Sequence, residues 1–231
     1  MKELFIRYFT AFVDLFYPKL CAACGHHLSA QEEVLCLHCE LHLPLTQYFD
    51  YENNPVEKLF WGKVQLLAAG SMYFFNKGEG IQRMMHQLKY KRRKEIGLWM
   101  GRRLAKKLLL SKRFDKIDFI VAVPLHPKKE FKRGYNQSKI IAMGVEEETG
   151  WRWIDLLKRT ENNASQTKKN KYERWLNVGS SFSIDTSIPI YNKNVLLIDD
   201  VVTTGATLEA NVSAILKAGA KTVSVATVAC A

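Results

Sequence analysis

Apolar residues fall into a succession of distinct periods along this chain. Leu4, Phe5, Tyr8, Phe9, Phe12, Leu15 and Phe16 repeat at helical spacing and stop at Pro18, which predicts a short amphipathic helix over residues 1–17 packed on the body of the protein. Leu66 to Phe75 is apolar, partly aromatic and bounded by Asn76 and Gly78, as a strand would be. Two helical stripes follow, one of Ile81, Met84, Met85 and Leu88, the other of Ile96, Met100, Leu104 and Leu108. From residue 117 the pattern turns to strand, turn, helix. Ile117 to Val123 is a continuous apolar run ended by Pro124, and Gly134 and Asn136 introduce a helix near residues 137–148. Trp153 to Leu157 is a short strand candidate. Val195 to Ile198 is a buried strand, Thr207 to Ala218 a helix closed by Gly219, and Thr222 to Val228 a last strand. Strands alternating with helices predict an α/β domain with a mainly parallel sheet.

At 231 residues and 47% hydrophobic content, the chain has material for one full α/β core and a small appendage. We divide it into the N-terminal helix (1–17), a cysteine module (18–47), a polar linker (48–64) and the α/β domain (65–231). No apolar run is long enough to span a bilayer, and Glu3, Arg7 and Asp14 interrupt the first apolar stretch, so a cytoplasmic location is expected.

The net charge of +11 is concentrated rather than spread. Residues 77–113 hold thirteen Lys or Arg against Glu79 and Glu95, which leaves the remainder balanced. Such a segment attracts polyanions, either nucleic acid or phosphorylated small molecules, or else forms a solvated helix face. Lys91, Arg92, Arg93, Arg102 and Arg103 are the nucleic-acid candidates, with Tyr90 and Trp99 as stacking neighbours, because single strands are held by charge plus stacking.

Chemistry is densest at VLLIDDVVTTGAT, Val195 to Thr207. Four apolar residues run into Asp199 and Asp200, then Val201, Val202, Thr203, Thr204, Gly205, Ala206 and Thr207, and then a helix. Ligands of open parallel sheets sit at the carboxyl ends of strands, where these polar residues emerge. Gly205 lets backbone approach an anion, successive amides and the helix N-terminus supply donors, and the two carboxylates can accept hydrogen bonds from vicinal ribose hydroxyls. A single helix cap needs one such residue, and here two acids and three threonines surround one glycine.

This segment resembles the signature of type I phosphoribosyltransferases. Together with PLHPKKEFKRGYNQS, Pro124 to Ser138, and the cysteine module, it resembles the ComF family of competence-associated phosphoribosyltransferase-like proteins. The resemblance implies a type I phosphoribosyltransferase fold in which Asp199 and Asp200 contact the ribose of phosphoribosyl pyrophosphate, residues Thr203 to Thr207 cradle its 5′-phosphate, and magnesium sits on pyrophosphate and ribose oxygens. It implies a pyrophosphate loop at Leu125, His126, Pro127, Lys128 and Arg133, whose cations would stabilise a departing pyrophosphate. The long polar stretch Lys158 to Arg174 resembles the family's flexible loop, with its functional positions at Arg159, Thr160, Gln166 and Arg174, and such a loop closes over the reacting centre. The family's role implies help with imported single-stranded DNA in natural transformation, beside a helicase partner. The alternative is a true transferase acting on a nucleobase or amine, and nothing in the sequence identifies that acceptor.

Cys21-x-x-Cys24 and Cys36-x-x-Cys39 are two knuckles eleven residues apart. Four thiolates supplied in pairs suit a structural zinc site, although spacing alone does not choose the metal. His26, His27 and His38 lie nearby and are not needed by a complete four-sulfur set. Lys19 is the only basic Lys or Arg within residues 18–45, which argues against the knuckles gripping phosphates.

Overall fold

The computed structural model describes residues 18–76, 78–159 and 182–231. The N-terminal helix expected over residues 1–17 lies outside them, as does the candidate flexible loop from residue 160 to Arg174.

A five-stranded sheet forms the centre, built from β1 (Ala69–Phe74), β2 (Phe119–Ala122), β3 (Arg152–Ile154), β6 (Asn194–Val202) and β7 (Thr222–Cys230). Its order is β1-β7-β6-β2-β3 and every neighbouring pair is parallel. The single strand expected at Trp153 to Leu157 is two: β3 ends at Ile154, and β4 (Leu157–Arg159) turns away to pair antiparallel with β5 (Phe182–Ile184) in a separate two-stranded sheet.

Eight residues or more of apolar pattern gave helices as expected. α3 (Gly80–Tyr90) buries Ile81, Met84, Met85 and Leu88, and α4 (Lys94–Leu110) buries Ile96, Met100, Leu104 and Leu108. Each such burial is worth about 1.5–3 kcal/mol relative to exposure. They follow α1 (Leu37–Leu41) and α2 (Pro55–Lys58). α5 (Pro127–Arg133), α6 (Gln137–Thr149) and α7 (Ala206–Lys217) complete the α-helices among the described residues. α4 and α6 approach closely enough that a Cβ on Gly101 would lie 2.8 Å from Gly144 Cα, so only glycine fits there.

The helices divide between the two faces of the sheet. Ile141, Ala142 and Val145 of α6 pack with Leu196 and Ile198 of β6, whereas Leu208, Val212 and Ile215 of α7 pack with the alternate residues Val195 and Leu197. The connection after β2 therefore leaves toward one face and that after β6 toward the other. A cleft opens between the carboxyl ends of those two neighbouring strands.

Residues 48–64 are not a linker. Phe49, Asn54, Val56 and Phe60 are buried, and the Phe49 ring meets Phe114 edge-on with centroids 5.3 Å apart. Asn54 caps α2 by accepting from the amides of Val56 and Glu57, while its Nδ2 donates to the carbonyls of Tyr48 and Ala69 at 2.9 and 2.8 Å. Arg113 pairs with Glu57, whose carboxylate also accepts from Ala69 N at 3.1 Å. Polar residues that resemble a spacer in sequence are here a hydrogen-bonded seam along β1.

Candidate functional site

Strand β6 carries the acidic pair farther into the sheet than the apolar run implies. Asp199 is in register with Thr227 and Val201 with Ala229, so both carboxylates belong to the ladder instead of a loop beyond it. Both are nearly buried. Asp199 Oδ1 accepts from the hydroxyl of Ser138 at 2.8 Å and from the amide of Asp200 at 2.9 Å. Asp200 accepts from Val201 N at 2.8 Å through Oδ1, and its Oδ2 lies 2.5 Å from the ammonium of Lys89. Burial, reinforced by the neighbouring Asp200 charge, pushes Asp199 up to about 8, against the opposing hydrogen bond from Ser138.

The chain then turns at Gly205, whose φ of 79° is left-handed. Its carbonyl accepts from Glu209 N at 2.8 Å and so starts α7, and no side chain caps that helix. The amides of its first turn remain as donors at a helix end that favours anions. Thr203, Thr204, Ala206 and Thr207 are exposed around a small pocket that Asp199, Val201, Val202, Gly205 and Leu208 also line. Beneath it, Leu59 and Phe60 sit 3.4 Å from where a Gly205 side chain would project, so residues 48–64 brace the loop.

Of the pyrophosphate-loop candidates, Leu125 and His126 lie between β2 and a helix, and Pro127, Lys128 and Arg133 lie on that helix. His126 caps α5 by accepting from Lys128 N at 3.2 Å, Pro127 occupies the first helical position, and Gly134 ends the helix at φ 84°. Leu125 and His126 are half-buried, Pro127 and Lys128 are exposed on this helix, and Arg133 bonds to Gln137 with its guanidinium 5.8 Å from the Tyr90 ring. The residues after Gly134 do the positioning. Tyr135 donates its hydroxyl to the Leu88 carbonyl, Asn136 caps α6 and donates to Val123 O at 2.9 Å, and Ser138 reaches Asp199. Ser138 and Lys89 were not among the site residues read from sequence. The only trace was the polar run Tyr135 to Ser138 directly after a helix-ending glycine.

Three of the five basic nucleic-acid candidates are held elsewhere. Arg102 pairs with Glu33 at 3.1 Å and Glu147 at 3.5 Å, and Arg103 pairs with Glu40 while stacking 5.1 Å over Trp99, which is itself buried. Arg93 bonds to Glu95 at 2.6 Å, to Gln87 at 2.9 Å and to the Leu20 carbonyl at 3.4 Å. These arginines fasten the cysteine module to α3 and α4. Lys91 and Arg92 are exposed, and neither has an ion pair among the described residues. Of the flexible-loop candidates, Arg159 lies in β4 with its guanidinium 5.3 Å from the Phe182 ring, whereas Thr160, Gln166 and Arg174 lie outside the described residues.

The sulfurs of Cys21, Cys24, Cys36 and Cys39 all lie within 4.8 Å of one another. Burial works against a Cys21 thiolate, but hydrogen bonds from the amides of Cys24, Cys36 and Ala23 outweigh it and bring the thiol down to about 6. A readily deprotonated thiol with three more sulfurs at ligand spacing fits a tetrahedral metal such as zinc. His26 Nδ1 lies 3.3 Å from Cys24 Sγ, beside the cluster.

A parallel sheet of this order, with a left-handed glycine turning its central strand into a helix, is a type I phosphoribosyltransferase fold, and residues 152–230 match the family model described as a phosphoribosyl transferase domain. Competence proteins of the ComF kind are its homologues. The chain is 38% identical over 112 residues to Competence protein ComFC of Streptococcus pneumoniae, covering 48% of this chain and 47% of that protein. It is 32% identical over 146 residues to DNA utilization protein YhgH of Salmonella typhimurium, covering 62% of this chain and 63% of that one. The match thus spans less than two thirds of these relatives. Among solved structures, the glutamine phosphoribosylpyrophosphate amidotransferase of B. subtilis aligns at 21% identity and a TM-score of 0.41, covering 57% of this chain and 25% of that one. No helix among the described residues is long and apolar enough to cross a membrane.

Proposed function

We propose that the cleft at the end of β6 binds phosphoribosyl pyrophosphate together with magnesium, in a zinc-holding protein that handles imported single-stranded DNA beside a helicase partner. One observation carries the ligand reading. A nearly buried acidic pair and an uncapped helix N-terminus reached through left-handed Gly205 lie within the one segment Asp199 to Ala206, at the carboxyl end of the central strand. The spacing matches a sugar whose hydroxyls meet the acids while its 5′-phosphate meets the amides of residues 206–208. Magnesium, when bound with the ligand, would supply charge neutralisation for its phosphates.

Support for the nucleic-acid part comes from a different surface than the sequence suggested. Phe131 is 93% exposed on α5 among Lys128, Lys129 and Lys132, and Tyr90, 68% exposed, joins them through Arg133. Exposed rings interleaved with cations suit single strands. The relatives' names, competence protein and DNA utilization protein, agree with that setting.

Titration calorimetry tests the ligand. Wild-type protein with magnesium is expected to bind phosphoribosyl pyrophosphate, and the double variant Asp199→Ala/Asp200→Ala to lose it; unchanged binding in that variant would refute the site. Pyrophosphate release, screened over nucleobases and amines, separates a binder from a transferase, and release with any acceptor would establish transfer.

A further inference from the structure

We propose that Lys89 recognises the diphosphate on the anomeric carbon of the ligand, exchanging Asp200 for that diphosphate when the site fills. This rests on the phosphoribosyl pyrophosphate reading given above.

Lys89 comes from the last turn of α3, far from the signature segment in sequence, and its ammonium lies 2.5 Å from Asp200 Oδ2. Its backbone is fixed on both sides. Leu88 is buried and its carbonyl accepts from Tyr135, Gln87 Nε2 donates to the Ala22 carbonyl at 2.7 Å, and Arg133 stacks on Tyr90. The lysine side chain is 25% exposed while that of Asp200 is 8% exposed, so the cation reaches solvent where the carboxylate does not.

An ammonium has three donor hydrogens, and the contact with Asp200 Oδ2 is an ion pair without an aligned hydrogen bond. The ligand's own stereochemistry says what those donors meet. In phosphoribosyl pyrophosphate the diphosphate is on the α face of the ribose, the same face as the 2′- and 3′-hydroxyls. A cation paired with the carboxylate that accepts from those hydroxyls therefore stands beside the diphosphate. Before ligand arrives, Lys89 keeps a nearly buried carboxylate compensated, which would otherwise be costly. Afterwards Asp200 has the sugar hydroxyls as partners and the lysine is freed for a more highly charged anion.

Ribose 5-phosphate, which lacks the diphosphate and keeps the hydroxyls and 5′-phosphate, is the discriminating probe. Calorimetry with magnesium compares both ligands on wild type, Lys89→Met, Lys89→Gln and Lys89→Arg, with thermal melting to verify folding. A charged hydrogen bond predicts that Lys89→Met weakens phosphoribosyl pyrophosphate roughly ten- to a hundred-fold while ribose 5-phosphate changes by no more than about threefold. Lys89→Arg should retain most of the preference. Lys89→Gln, which keeps a donor for Asp200 without the charge, should lose the preference as Lys89→Met does, and it carries the test if the methionine variant fails to fold. Equal weakening of both ligands, or unchanged discrimination, would overturn the role of Lys89 alone. Failure of wild type to bind phosphoribosyl pyrophosphate would overturn the site reading and this role with it.

Discussion

Replacing Gly205 by alanine separates a phosphate cradle from an ordinary strand-to-helix turn. The φ of 79° places this residue in the left-handed region, where an L side chain costs about 1–2 kcal/mol. Space is not the obstacle, since the added Cβ would sit 3.4 Å from Leu59 and Phe60, an ordinary contact. The penalty is thus conformational. In a chain of this size it predicts a fall in melting temperature of roughly 2–8 °C if the loop keeps its shape. If the loop relaxes instead, the temperature falls less, but the amides of residues 206–208 turn away from the position they share. Ligand affinity then falls by more than the stability loss accounts for. Gly205→Asn, which tolerates left-handed backbone, should suffer less on both counts. Differential scanning calorimetry and titration with phosphoribosyl pyrophosphate, run on wild type and both variants, read the two effects separately. An alanine variant that melts and binds like wild type would refute the assigned role of this turn.

Three other outcomes follow from the same geometry. Stripping the metal from the cysteine cluster should lower the melting temperature and increase amide exchange in residues 20–43 and at the end of α3, because Gln87 and Arg93 are tied to the module's carbonyls, while β6 and β7 stay protected; identical exchange with and without metal would contradict that coupling. Reversing Lys128, Lys129 and Lys132 to Glu should weaken single-stranded DNA binding and reduce its salt slope by about two, whereas Arg102→Gln with Arg103→Gln should leave the slope unchanged, since those arginines serve Glu33, Glu147 and Glu40; the reverse result would restore the α4 stripe as the interface. Asp199 titrates higher in the folded protein, near 8, than its ordinary 3.8, so the folded state holds the extra proton between those values. Its contribution to stability is present below about pH 4 and lost as pH rises through 8. Chemical denaturation from pH 4 to 9 should show that decline, and Asp199→Asn should flatten it; an unchanged slope in the variant would remove Asp199 as its source.

Local chemistry made the signature segment readable. Apolar residues buried on both faces, two acids, a glycine and a helix start fall within the short segment Val195 to Ala206, so the physics of the site is written in near neighbours. The same holds for the cysteine knuckles, whose spacing brings their sulfurs together. The stripes of α3 and α4 were legible because helical periodicity records which face will be buried. Sequence could not say that Asp199 and Asp200 lie inside the ladder, because β7, which pairs with them, is more than twenty residues away.

Tertiary structure alone decided the partners of polar groups. Asn54, Glu57 and Phe49 read as spacer until β1 and Phe114 are placed against them. Arg102 and Arg103 read as free charge until the module's glutamates arrive. Lys89 and Ser138 lie 111 and 61 residues before the acids they meet, and no periodicity encodes such a pairing. A sequence determines where charge, flexibility and apolar surface lie along the chain. Which charge neutralises which, and so which remain free for a ligand, depends on long-range packing.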